Sequence, residues 1–332
     1  MKRERVINAI AHKETDRPPH NIELTGEELI IVSEFLGIKK EDFFDRAGNH
    51  IEKCGCNIGG AYIKQGFYQD EFGVIWDRSG LDKDIGVCDI RIPEPTLNAY
   101  KFPEPNLSEI GTAISQMMGN GKDTFKMAKI GLAYFERAWS LAGFENLLIH
   151  FHLEPVFVCE LLEGILDYNL KIIEAAMIHD IDGFYFGDDY GQQNGLIMSP
   201  DTWRKFIKPG LAKMFEAVKG RGKVTALHSC GDISAVMGDL IDIGLDIYQT
   251  VQPEVYDLKL LKTQFGNDLC FWGGISTQRL LPFAGPDEIK RTVNETINIL
   301  ADGGGYIVSP THQVPADVPP ENIALLAKLL KA

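Results

Sequence analysis

Apolar and polar positions follow two regimes along the chain. Before about residue 124 the pattern is uneven. Residues 4–11 have helical spacing, and "RPPHNIELT" (17–25) reads as an extended segment entered through two prolines. "DEFGVIWDRSG" (70–80) alternates as a small hairpin does. "LDKDIGVCDIRIPEPTLNAYKFPEPN" (81–106) is proline-rich, but apolar residues continue through it, which marks a loop excursion and not a linker between domains. Beyond it the pattern becomes regular. Short apolar runs ("FKMAKIG", "IDGFYFGDDYG", "KVTALHSCGD", "LDIYQTVQP", "DLCFWGGIS", "YIVSPTHQV") alternate with helix-length stretches at roughly 154–179, 199–222, 233–244, 255–266, 286–305 and 319–332.

Strict alternation with short connections implies a parallel sheet with helices packed outside it. Runs such as "FYF" and "YIV" fit strands buried on both faces. Counting "RPPHNIELT" and "KMAKIG", seven strands can be placed, close to the eight of a TIM barrel. A doubly wound sheet would carry a Gly-rich phosphate loop after its first strand, and "NIELTGEEL" is not one. The expected architecture is therefore α/β, a (β/α)8 barrel forming a single domain over 1–332 with an irregular N-terminal excursion at about 26–120.

A barrel places its chemistry at the carboxyl ends of its strands. Those ends carry Glu23, Gly131 followed by "LAYFERAW", Asp188 and Asp189, His228 and Cys230, Gln249 and Gln252, Gly273 and Gly274, and His312. His228 and Cys230 are two apart, so they share a face if the strand runs that far. Alone they read either as a buried histidine and thiol or as metal ligands. Their convergence with His312 at one barrel mouth favours a functional site. Asp188 and Asp189 are candidate catalytic carboxylates or turn residues. Phe135, Glu136, Trp139 and Tyr190 are candidate pocket groups or core. Cys270 lies within a strand body beside Trp272 by period two, and reads as core. Gly273 and Gly274 mark a close backbone approach or a tight strand exit.

Composition narrows the partners. Thirty-three basic against 47 acidic residues give −14. Such a chain is a poor nucleic-acid binder and repels a polyanion unless it has a local basic pocket. The start has no apolar signal core, and no apolar run has membrane-spanning length, so a soluble cytoplasmic protein is expected. Six cysteines in such a chain read as reduced thiols or one metal site. Cys54 and Cys56 form only a C-x-C pair with no partner pair nearby.

"KRERVINAIAHKETDRPP", "DEFGVIWD", "FERAWSLAGFENLL", "GDDYGQQNGLIMSPDTWRKFIKPGL", "HSCGDI" and "SPTHQVPADVPPENI" together resemble the uroporphyrinogen decarboxylase superfamily over nearly the whole chain. The resemblance implies a distorted TIM barrel. It implies either a decarboxylase or a cobalamin-dependent methyltransferase, such as a coenzyme M methyltransferase or the first methyltransferase of aryl-ether O-demethylases. The decarboxylase branch has an Arg-rich segment after the first strand. Here that place holds Glu23, Glu27 and Glu28, which would repel a polycarboxylate. The methyltransferase branch binds zinc through His-x-Cys and a distant third ligand, usually Cys. His228 and Cys230 match the first two, and His312 stands in the third place. One thiolate instead of two leaves a more electrophilic metal, suited to polarising an ether oxygen.

What the resemblance implies is a zinc-assisted methyltransferase that moves a methyl group from a methoxylated, aromatic donor to the cobalt of a corrinoid protein. Asp188, Asp189 or Glu136 would handle a proton, and Glu23, Phe135, Trp139, Tyr190 and Gln249 would contact the substrate. The expected partners are the corrinoid protein and a small methylated substrate, with neither nucleic acid nor membrane, and a homodimer is the oligomeric alternative to a monomer. A decarboxylase, a methylcobalamin:thiol methyltransferase and a corrinoid- or tetrapyrrole-binding protein without chemistry of its own are the competing readings.

Overall fold

A computed structural model describes residues 1–80 and 86–331. The first residues of the proline-rich excursion, 81–85, lie outside the described residues. The main sheet has seven strands, and their order in the sheet is their order in the chain: Ile51–Gly55, Phe125–Ile130, Gly183–Gly187, Val224–His228, Ile247–Thr250, Cys270–Ile275 and Tyr306–Pro310. Sequential strands with intervening helices are the signature of a distorted TIM barrel. Among the described residues no helix is long and apolar enough to cross a membrane.

By contacts the chain divides into two compact units: Met1–Glu52 with Lys122–Phe125 and Asp246–Ala332, and Lys53–Gly121 with Lys126–Leu245. In the first unit, strands Ile247–Thr250, Cys270–Ile275 and Tyr306–Pro310 pair in parallel. Residues 20–24 run beside the last of them through isolated bridges, His20 to Val308 and Leu24 to Val314. On their other side the His50 N–H donates to the His20 carbonyl at 3.0 Å. The Asn49 side chain grips both the N–H and the carbonyl of Ile22, at 3.0 and 2.9 Å. Pro18 and Pro19 have no N–H to give a ladder, and the asparagine amide supplies what a neighbouring backbone would. The segment expected as a strand is thus an eighth stave held by a side chain. Gly273 has φ +137°, and a Cβ there would lie 1.7 Å from the Thr250 carbonyl oxygen. Close backbone approach, one of the two readings of this glycine pair, is therefore its role.

The strand the sequence pattern missed is Ile51–Gly55, inside the stretch read as irregular. Only Ile51 of its five residues is buried, and Glu52, Lys53 and Cys54 are half-buried. No apolar alternation announces it. That stretch also holds helices Gly26–Leu36 and Leu107–Met118 and, in place of a lone hairpin, a four-stranded antiparallel sheet: Ala61–Lys64, Phe67–Gln69, Ile75–Asp77 and Gly86–Val87.

In the second unit, Phe125–Ile130, Gly183–Gly187 and Val224–His228 pair in parallel, with Lys129 opposite Tyr185, Tyr185 opposite Ala226, and Gly187 opposite His228. One face carries Phe184 and Phe186, and Phe186 meets Phe215 of helix Lys208–Lys219 at 5.4 Å between ring centroids. That face lies under the helices. Alternation then turns Met127, Lys129, Tyr185 and His228 to the opposite, inward face.

Candidate active site

Three loops at strand ends in the second unit are stitched together by their backbones. The Ala133 N–H donates to the Gly187 carbonyl at 2.8 Å, Asp188 N–H to the His228 carbonyl at 3.0 Å, and Asp232 N–H to the Gln192 carbonyl at 2.9 Å. The approach is close enough that a Cβ on Gly191 would fall 2.6 Å from the Cys230 carbonyl oxygen.

On this frame the carboxylates are placed. Asp188 is 0% exposed and accepts the N–H groups of Phe135 at 2.9 Å and Glu136 at 2.8 Å. It therefore caps helix Phe135–Ala142, not the helix that follows it in sequence. Burial raises its carboxyl to about 6, and the hydrogen bonds it accepts oppose that rise. Asp189 accepts the Cys230 N–H at 2.8 Å, and the same oxygen lies 3.5 Å from His228 Nε2. Glu136 is half-buried, and its carboxyl is pushed well above the usual carboxylate range by burial and then by the Asp189 and Asp188 charges.

His228 ends its strand, and its Nε2 lies 3.5 Å from Cys230 Sγ. Burial, then Asp189 and Glu136, push the Cys230 thiol up. Between them Ser229 is fully buried, and its Oγ accepts the Tyr190 N–H at 2.9 Å. Phe135 and Tyr190 are both 0% exposed; Phe135 stacks at 6.4 Å on Phe151, and Tyr190 lies edge-on to Trp203 at 5.9 Å. Trp139 is half-buried, 6.1 Å from Trp76.

In the first unit, Gln249 is buried within its strand and Glu23 is half-buried, accepting from the Asn21 amide at 3.0 Å. His312 is exposed, two residues past its strand. Cys270 is fully buried, as its place in the strand body suggests. Of the three glutamates expected to face an acidic substrate, Glu28 is instead 0% exposed, and burial followed by Asp317 raises its carboxyl to about 7.

Several residues at these strand ends escaped the sequence reading. Lys53 Nζ lies 4.1 Å above the Tyr185 ring centroid and Lys129 Nζ 5.6 Å from it, and Tyr185 is 6.3 Å from the His228 ring. The available signal was a lysine inside each strand, in "IEKCG" and "MAKIG". Arg137 is 2% exposed and bonds Asp70 at 2.5 Å and Glu71 at 3.2 Å. Asp70 also accepts the Phe72 and Val74 N–H groups and the Trp76 indole. The small sheet is thereby tied to the helix that carries Glu136. The "DEFG" acids were the signal there.

The family model for uroporphyrinogen decarboxylase matches residues 95–332. A methylcobamide:CoM methyltransferase of Methanosarcina barkeri is 33% identical over 132 residues, 39% of this chain and 36% of that protein. The match thus spans little more than a third of the curated relative's length. Among solved structures, a methyltransferase from Methanosarcina mazei has a TM-score of 0.75 at 17% identity, covering 99% of this chain and 98% of the other. A B12-independent methionine synthase from Shewanella sp. W3-18-1 has a TM-score of 0.51 at 12% identity, covering 94% and 91%. At these identities the structural likeness is one of fold.

Proposed function

This chain belongs to the uroporphyrinogen decarboxylase family, and from that premise we propose that it is a corrinoid-dependent methyltransferase with zinc held by His228, Cys230 and His312. The observation that carries the reading is the His228–Cys230 pair. Its 3.5 Å separation equals the edge, about 3.5 Å, of a tetrahedral zinc site with one nitrogen and one sulfur ligand. His312 is the proposed third donor, standing where the resemblance places the third ligand. A bound cation also reverses the electrostatics at Cys230, whose thiol burial otherwise keeps protonated.

When bound, zinc supplies a Lewis acid at this strand end, and the cobalt of a partner corrinoid protein supplies the nucleophile. The chain's own groups do the rest. Asp189 accepts the Cys230 backbone N–H and so positions the thiolate donor, and the same oxygen lies 3.5 Å from His228 Nε2. Asp188 fixes the start of helix Phe135–Ala142 and so aims Glu136. Glu136 is the proposed proton carrier to the leaving oxygen. Trp139 is the proposed wall for an aromatic ring, with Phe135 and Tyr190 packed behind it, and Glu23 and Gln249 are proposed further substrate contacts.

The donor we propose is a methoxylated aromatic compound, because His312 in place of a second thiolate leaves the metal more electrophilic. A second reading, methyl transfer from a methylated corrinoid to a thiol, is favoured by what the M. barkeri relative does. One pair of assays tests both. Zinc-loaded protein is given a methoxybenzoate with a reduced corrinoid protein, and separately methylcobalamin with 2-mercaptoethanesulfonate. Phenol release supports the first reading, and thioether formation the second. No turnover in either assay would refute the methyltransferase assignment. A decarboxylase acting on a polycarboxylate is disfavoured by Glu23 and Glu27 at the segment where that branch is basic.

A further inference from the structure

The acidic balance of the chain disfavours anionic ligands unless basic groups converge locally, and two lysines do so on the inward face of the second unit's sheet. We propose that Lys53 and Lys129 hold an anionic group of the substrate, a carboxylate or sulfonate, beside the Tyr185 ring and one layer deeper than His228.

The register fixes the depth. Lys129 sits opposite Tyr185, whereas His228 sits opposite Gly187, two residues further along the strand. Two residues of strand are about 6–7 Å. A substrate whose reacting methyl lies at the level of His228 would thus place a group one ring's length away at the level of the two ammoniums. The lysines approach one ring, at 4.1 and 5.6 Å from its centroid. That ring is 3% exposed, and both lysines are half-buried. An anion that reached both ammoniums would bind them more strongly than the neutral ring does. It would also orient the substrate, because the other end of the site carries the Asp189 carboxylate, which repels the same group.

The inference rests on the methyltransferase reading for the place of the methyl group, but its test does not need turnover. Calorimetry on zinc-loaded protein compares para-methoxybenzoate with para-methoxybenzamide, and 2-mercaptoethanesulfonate with 2-mercaptoethanol. At least one anion should bind about tenfold more tightly than its neutral partner, and the pair that shows the preference identifies the substrate class. Lys129→Met should abolish most of the preference with zinc content unchanged. Lys53→Met, or Lys129→Gln where the methionine variant does not fold, should do the same. Equal binding of charged and neutral probes would overturn the proposal, as would a preference that survives both lysine substitutions. If the preference holds but no methyl group moves in the assays above, the lysine site stands and the methyltransferase reading falls.

Discussion

Two regions of the molecule bury ionisable groups, and they bury them differently. In the second unit Asp188 is wholly enclosed, but its carboxylate accepts two backbone N–H groups. Asp189 accepts a third. In the first unit Glu28 is equally enclosed and neither carboxyl oxygen has a hydrogen-bond partner. The His20 and His50 rings, 4.6 Å apart, likewise leave Nδ1 of one and Nε2 of the other unpartnered. Burial lowers His20 to about 4 and His50 to about 3, so both rings stay neutral at pH 7, and it raises Glu28 to about 7, so that carboxyl is neutral only below that pH. Buried ionisable groups thus do not by themselves mark a site. What distinguishes the second unit is that its acids are aimed by convergent donors and sit against soft ligands.

Removing the donors' partner should make the second unit resemble the first. Asp188→Ala leaves the Phe135 and Glu136 N–H groups without an acceptor, and denaturant unfolding should show a loss of about 2–4 kcal/mol. Activity should fall with it, because Glu136 loses its support. A change below about 0.5 kcal/mol would mean the cap is not structural.

The converse change relieves the first unit. A carboxyl whose folded pKa is raised favours the protonated fold. Stability therefore falls as pH rises from the unfolded value near 4.5 to about 7, and stays flat above. Glu28→Gln should stabilise the protein by about 2 kcal/mol at pH 8 and hardly at all at pH 4.5. Unfolding curves at the two pH values check this, and a gain equal at both would contradict it.

A smaller effect is expected at His312. With His312→Cys, zinc titration should show retained metal, since thiolate also binds it well. The added negative charge should slow ether demethylation about tenfold. His312→Ala should weaken zinc itself, and unchanged zinc affinity in that variant would remove His312 from the metal site.

The strand ends were legible in the sequence because apolar runs stop abruptly at polar groups: "FYFG" at Asp188, "TAL" at His228. Pairing rules then put those ends together. Ile51–Gly55 was not legible, because only Ile51 of its residues is buried and the strand lacks the alternation that marks one apolar face. Lys53 was hidden with its strand, whereas Lys129 lies in a strand that was legible and whose inward face the apolar run did not reveal. The cap formed by Asp188 was hidden because its partners, Phe135 and Glu136, are more than 50 residues away in sequence. Local patterning carries no trace of such a contact.

Zinc content by mass spectrometry, on wild-type and His228→Ala protein purified without chelators and reconstituted with zinc, tests the central claim most directly. The proposed site requires about one zinc per chain in the wild type and a small fraction of that in the variant. Wild-type protein that remains metal-free, or a variant that retains full zinc, would contradict it.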